Sequence, residues 1–258
     1  MISQPLRVER AAVSVGNPLP SIVSIALLTA TLGAVLVQHA NWTGWHVVAA
    51  LSGYLVISLV VALNAGIDRR SAGFGIANQV TLLRAGLVCM IGAALLTGGS
   101  AVVSGWSVAA LVAVALSLDG VDGWLARRRG LTSPFGARFD LEIDALLLLI
   151  LALLVWRADR VGPWILTIGM LRYAFVAAGW LWPWLREPLP ASRLRQAVCV
   201  QQGVTLLVCL LPPIDAMLAS AVAAVALLSL LASFGADIIY LSRTHRAAIA
   251  GELDRPAF

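Results

Sequence analysis

Lysine is absent from this chain: all 18 basic side chains among its 258 residues are arginine. Arginine is always ionised and forks onto phosphate with two donors, but codon composition produces the same bias, so the absence assigns no function. Charge of either sign is scarce as well. Charged residues make up 12% of the chain, about half the ~25% of an ordinary soluble domain, which excludes the water-soluble globular class. Cysteine is rare and unpaired. Cys89, Cys199 and Cys209 lie in apolar segments without paired spacing, which excludes a disulfide framework and a cysteine metal site. The formal charge of +5 does not point to nucleic acid, because in a membrane protein the placement of charge matters more than its total.

What the chain does have is apolar length. Hydrophobic residues make up 60% of it, and runs near twenty residues are long enough to cross the hydrocarbon layer. Such windows fall at about residues 20–38, 46–65, 78–98, 102–124, 138–157, 161–182, 196–213 and 217–241. The expected fold class is therefore all-α: a polytopic membrane bundle of about eight spans. Arg7, Glu9 and Arg10 ahead of the first run resemble the start of a signal sequence. No small-x-small site precedes Asn41, so an uncleaved first helix is expected.

Arginine placement predicts orientation. With a cytoplasmic N-terminus, fourteen arginines (7, 10, 69, 70, 127, 128, 129, 138, 186, 193, 195, 243, 246 and 255) fall on the cytoplasmic side, against Arg157 and Arg160 opposite. That bias predicts both termini on the cytoplasmic side of an integral membrane protein. The linker 65–77 is the one plausible seam. The expected organisation is a tail with two leading helices as an appendage over 1–70, a six-helix working unit over 71–246, and a C-terminal tail over 247–258.

The polar exceptions concentrate in SLDGVDGWLARRRGLTSPFGARFDLEIDALLLL. An ionised carboxylate in a membrane segment costs roughly 3 kcal/mol or more, so it persists mainly where it lines a polar site. Asp119 and Asp122 are three apart and share a helix face, as do Asp140 and Asp144, four apart. The short loop between them predicts antiparallel neighbours, with all four carboxylates converging near the cytoplasmic boundary. Such a cluster repels itself and calls for a cation. Oxygen-only ligands select a hard ion, Mg²⁺ or Mn²⁺, and a pair of ions suits phosphoryl transfer. The plainer alternative, surface pairing with Arg127, Arg128, Arg129 and Arg138, explains any one aspartate but not four in register. Gly123 and Ala126 strip bulk from the Asp122 face, leaving room for a ligand or for helix packing. Gly136 eases the turn into the next helix.

Together these positions spell Asp119-x2-Asp122-Gly123-x2-Ala126-Arg127-x8-Gly136-x3-Asp140-x3-Asp144. This resembles the signature of the CDP-alcohol phosphatidyltransferase family (class I), with every fixed position filled. The segment from Asn78 to Arg84 (NQVTLLR) resembles the opening of that family's first core helix. The six-helix core resembles residues 78–241, and the two leading helices fall outside it. The resemblance implies that Asp119, Asp122, Asp140 and Asp144 gather around two Mg²⁺ or Mn²⁺ ions, with Asp144 as general base. It implies donor contacts from Asp119, Asp122, Gly123, Ala126, Arg127, Gly136, Asn78 and Thr81. The implied donor is CDP-diacylglycerol or another CDP-alcohol, the product CMP, and the assembly a homodimer in the bilayer.

The acceptor is less legible. Arg138, Arg193 and Arg195 could bind an anionic acceptor such as inositol phosphate or glycerol phosphate, or could serve as topology signals against anionic lipid. Glu142 points away from Asp140 and Asp144, at 100° per residue. Arg172 and Asp237, also within the membrane, either pair structurally, the favoured reading, or leave Arg172 to reach the phosphate region. Two other classes compete. An intramembrane prenyltransferase would carry a second Asp-rich motif, and none is present. A cation transporter would place its acids near the midplane, where these do not lie.

Overall fold

The computed structural model describes residues 18–40, 42–67, 76–96, 105–129, 134–190 and 192–253, with the side chains of 65–67, 76–77, 121–129, 134–135 and 247–253 left out. Within these residues the chain forms eight long α-helices and no strand. They are α1 (Leu19–His39), α2 (Gly44–Ile67), α3 (Ile76–Ala93), α4 (Trp106–Arg129), α5 (Pro134–Arg157), α6 (Leu166–Leu181), α7 (Arg193–Leu210) and α8 (Ala216–Leu253). Single 3₁₀ turns at Ala94–Leu96, Pro163–Ile165 and Pro183–Arg186 join or extend them. The polytopic helical bundle expected from the apolar windows is what forms. Most of the proposed seam (68–75), the first seventeen residues and the last five lie outside the described residues.

Among the described residues, five segments are long and apolar enough to cross a membrane: α1, α2, α3, α6 with its leading 3₁₀ turn, and α8. Of the other three, α4 is apolar over the shorter stretch Trp106–Gly120. Asp140, Glu142 and Asp144 interrupt α5, and Arg193, Arg195, Gln201 and Gln202 interrupt α7. Such groups persist in a bundle when they face its interior or a polar cavity.

Burial identifies α3 as the central helix. Two-thirds of its apolar span is buried (67%), against 22–28% for the other four apolar spans. It packs against α1, α2, α4 and α5. The hairpin α1–α2 covers one side of it through small-residue contacts. A Cβ on Gly86 would lie 2.7 Å from Thr29 Oγ1, and one on Gly53 would lie 3.3 Å from Cys89 Sγ. Such close approach is the usual mode of helix association in lipid, where the hydrophobic effect does not drive helices together. Tyr54, fully buried, donates its hydroxyl to the Ile22 carbonyl at 3.1 Å. Ile22, Ile25, Tyr54 and Leu82 form an apolar cluster that Phe139 joins from α5.

The other half of the bundle is α5–α8. α5 packs on α6 and α7, and α7 lies along α8. The α5–α6 contact is backbone-close: a Cβ on Gly169 would meet Leu149 Cα at 2.5 Å. α5 closes with Asp159 at φ 54°, the left-handed position that follows many helices. The Arg160 N–H returns to Val155 O at 3.2 Å and the Asp159 N–H to Trp156 O at 3.0 Å, the bond pair of a Schellman closure. The Arg160 guanidinium then donates to the carbonyls of Ile214 and Pro212, tying the α5–α6 turn to the α7–α8 turn. Ser192 caps α7 by accepting the Arg195 N–H, and Asp215 caps α8 by accepting the Leu218 N–H at 2.7 Å.

Candidate active site

Residues 78, 81 and 84 recur every three positions along α3 and share a face. Thr81 and Arg84 are buried, and Asn78 is half-buried. Arg84, 1% exposed, points between α4 and α5. Its Nη1 lies 3.1 Å from Asp119 Oδ1 and donates to Asp140 Oδ1 at 2.6 Å, while Nη2 donates to Asp144 Oδ1. The fork thus spans both helices, the use for which a planar guanidinium suits better than an ammonium.

The short loop predicts α4 and α5 as neighbours, and most of their shared end lies outside the described side chains. α3 packs broadly against both, and the carboxylates meet around its arginine. Three converging negative charges at low dielectric keep their helices apart unless a cation intervenes. One ligand oxygen from each of Asp119, Asp140 and Asp144 lies within 4.8 Å of the others. The three side chains are 31%, 37% and 37% exposed, so the cluster is backed by the core and open on one side. One arginine against three carboxylates leaves excess negative charge. Hard oxygen donors, mutual proximity and that excess all fit a divalent cation of the Mg²⁺ or Mn²⁺ kind.

The expected site residues divide by position. Asp119, Asp140 and Asp144 are brought together. Asp122, Gly123, Ala126 and Arg127 continue α4 toward its C-terminus, and their side chains lie outside the described residues. Gly136 is half-buried in the first turn of α5. Arg138 and Arg193 are exposed. Arg195 is held by Asp237 at 3.5 Å and by the Pro190 carbonyl.

The expected pairing of Arg172 with Asp237 is corrected. Arg172 binds Glu142 at 2.5 Å, and Asp237 takes Arg195 instead. The reason is register. Glu142 leaves α5 away from Asp140 and Asp144, toward α6, whereas Asp237 lies on the part of α8 that runs beside the start of α7. Glu142 therefore stands outside the carboxylate cluster, as its helical angle predicted.

Arg84 is the residue that sequence reasoning left unassigned. Its signal was present: an always-ionised side chain within an apolar run, in step with Asn78 and Thr81. What the sequence lacked was the knowledge that α3 packs against both aspartate helices.

Comparison with known proteins supplies the family. No curated protein and no solved structure matches the chain. The family model described as CDP-alcohol phosphatidyltransferase matches residues 74–232, which span α3 to the middle of α8 and make up more than half of the chain. Its members are phosphotransferases of the CDP-alcohol type, working in a membrane between a CDP-alcohol donor and an alcohol acceptor, and typically dependent on a divalent metal. α1 and α2 precede the match. With its aspartate cluster inside the matched region, this chain belongs to the CDP-alcohol phosphatidyltransferase family.

Proposed function

We propose that the chain transfers a phosphatidyl or related phospho-alcohol group from CDP-diacylglycerol to a small alcohol and releases CMP. The observation that carries this reading is the convergence of Asp119, Asp140 and Asp144 at the family's motif spacing, in a polytopic helical bundle. In this reading Asp119, Asp122 and Asp140 hold two Mg²⁺ or Mn²⁺ ions, and Asp144 stands beside them. When bound, the ions supply charge neutralisation for the diphosphate and the departing CMP.

The remaining chemistry belongs to the side chains. Asp144 takes the proton of the acceptor hydroxyl within hydrogen-bond reach. The freed oxygen forms a bond to the lipid-side phosphorus, and the bond from that phosphorus to the bridging oxygen breaks, so CMP leaves with the electron pair. Asn78, Thr81, Gly123, Ala126, Arg127 and Gly136 receive the cytidine diphosphate part of the donor, whose acyl chains remain in the bilayer. Arg138, Arg193 and Arg195 recruit an anionic acceptor, inositol phosphate or glycerol phosphate. The site and both termini face the cytoplasm, and the protein works as a homodimer. The first 70 residues form an appendage to a catalytic unit over 71–246.

The test is CMP release from CDP-diacylglycerol by purified protein in detergent with Mn²⁺ or Mg²⁺. The acceptor panel holds inositol phosphate, glycerol phosphate, serine, inositol and choline, with Asp144→Asn as the blank. Metal-dependent release with one acceptor supports the reading and names the product. Absence of both release and donor binding overturns it.

A further inference from the structure

Arg84 engages the same three carboxylates that a hard cation would use. Nη1 lies between Asp119 Oδ1 and Asp140 Oδ1, at 3.1 and 2.6 Å, and Nη2 is on Asp144 Oδ1. A Mg²⁺ ion binds carboxylate oxygen at about 2.0–2.1 Å, so an ion shared by these oxygens would take the space that Nη1 fills. Two positive centres there would repel strongly, because the surroundings are partly desolvated. The guanidinium approaches from the buried side and the carboxylates are open on the other, so an ion can enter without crossing the core.

From this geometry we infer that Arg84 is the internal counter-ion of the metal-free site and competes with the divalent cation for the carboxylates. The inference rests on the proposed metal-dependent reading and adds a residue to it. Without a cation, Arg84 holds α4 and α5 together through their acids. When the cation arrives, Arg84 yields those oxygens, and part of the binding free energy is spent on displacing it. Metal affinity in the resting protein is therefore lower than the carboxylates alone would give. The same contact keeps the site assembled while no metal is bound.

The experiment measures Mn²⁺ binding to the full chain in detergent without donor or acceptor, reading free Mn²⁺ by electron paramagnetic resonance. Thermal unfolding is followed in parallel, in EDTA and in saturating Mn²⁺. Arg84→Met keeps an unbranched apolar stem but removes the charge. It should bind Mn²⁺ about tenfold more tightly than the wild type, the order expected for losing one close competing charge. It should also melt well below the wild type in EDTA and recover most of the difference in Mn²⁺. Equal or weaker Mn²⁺ binding by folded Arg84→Met overturns the inference while leaving the metal reading intact. Wild-type protein that binds no Mn²⁺ overturns the metal reading, and the inference with it. Should Arg84→Met fail to fold even with Mn²⁺, Arg84→Lys decides. A single ammonium cannot fork across α4 and α5, so tighter binding than wild type supports the competition, and equal or weaker binding refutes it.

Discussion

Substitution of Gly169 by alanine tests the packing that carries two of the site carboxylates. The added Cβ would lie 2.5 Å from Leu149 Cα and 3.0 Å from Leu149 N, where ordinary contact begins at 3.4 Å. Backbone atoms of a helix cannot swing aside, so α5 and α6 must part by roughly 0.9 Å at this level, the difference between 3.4 and 2.5 Å. Overpacking of this kind costs about 1–3 kcal/mol. For a chain of this size each kcal/mol moves the melting temperature by roughly 2–4 °C on the scale of soluble proteins, so a fall of about 2–12 °C is expected. Leu149 lies five residues along α5 from Asp144, about 7.5 Å at the helical rise. A displacement near 1 Å at a reacting centre can lower turnover about 100-fold, so metal-dependent CMP release should fall more than stability alone explains. The assay is thermal unfolding in detergent alongside CMP release. Gly235→Ala serves as the control, since its Cβ would meet nothing within 4 Å and alanine is the better helix former by about 1 kcal/mol. If Gly169→Ala melts with the wild type or above it, the backbone contact between α5 and α6 is not the constraint described.

Asp144→Asn should retain donor binding and lose turnover, because the amide cannot accept the acceptor's proton; CMP release at the wild-type rate would remove Asp144 from that role. Asp119→Asn should weaken donor binding and shift the Mg²⁺ dependence to higher concentration together, and an unchanged Mg²⁺ titration counts against its place as a ligand. Asp159→Gly should stabilise the protein by about 0.5 kcal/mol, since glycine occupies the left-handed position without the Cβ clash but gives up more chain entropy. A drop in melting temperature for that variant would show that the Asp159 side chain matters more than its backbone.

Periodicity and apolar length located every helix, and the differences lie at the ends, where local chemistry overrides hydropathy. α7 begins at Arg193, ahead of its apolar run, because Ser192 caps it. It ends at Leu210 because Pro212 and Pro213 follow. α8 continues to Leu253 through a polar stretch, well past the apolar run that marked its membrane part, because arginine and alanine sustain a helix without lipid contact. Within the site, the spacings of 140 and 144 and of 78, 81 and 84 state which side chains share a face. They do not state which helix the face meets. That is a tertiary fact, and it is why Arg84 went unassigned and why Arg172 and Asp237 were given to each other. A charge inside a membrane announces that it needs a partner, but its register on the facing helix decides which one.

The order of the chain gives the Arg84 cluster a history. During co-translational insertion α3 reaches the bilayer while its acids are still unmade, for Asp140 and Asp144 lie 56 and 60 residues downstream. At roughly 5–20 residues per second, the arginine waits some 3–12 seconds for the last of its partners. An arginine in a membrane helix costs up to about 2.5–3.5 kcal/mol on the insertion scale, most at the centre and less toward the ends. The two helices outside the family match are already synthesised by then, and they are the ones that mesh with α3 at Gly53 and Gly86. α1 and α2 can thus hold α3 in the membrane through the interval when its own charge argues against staying there.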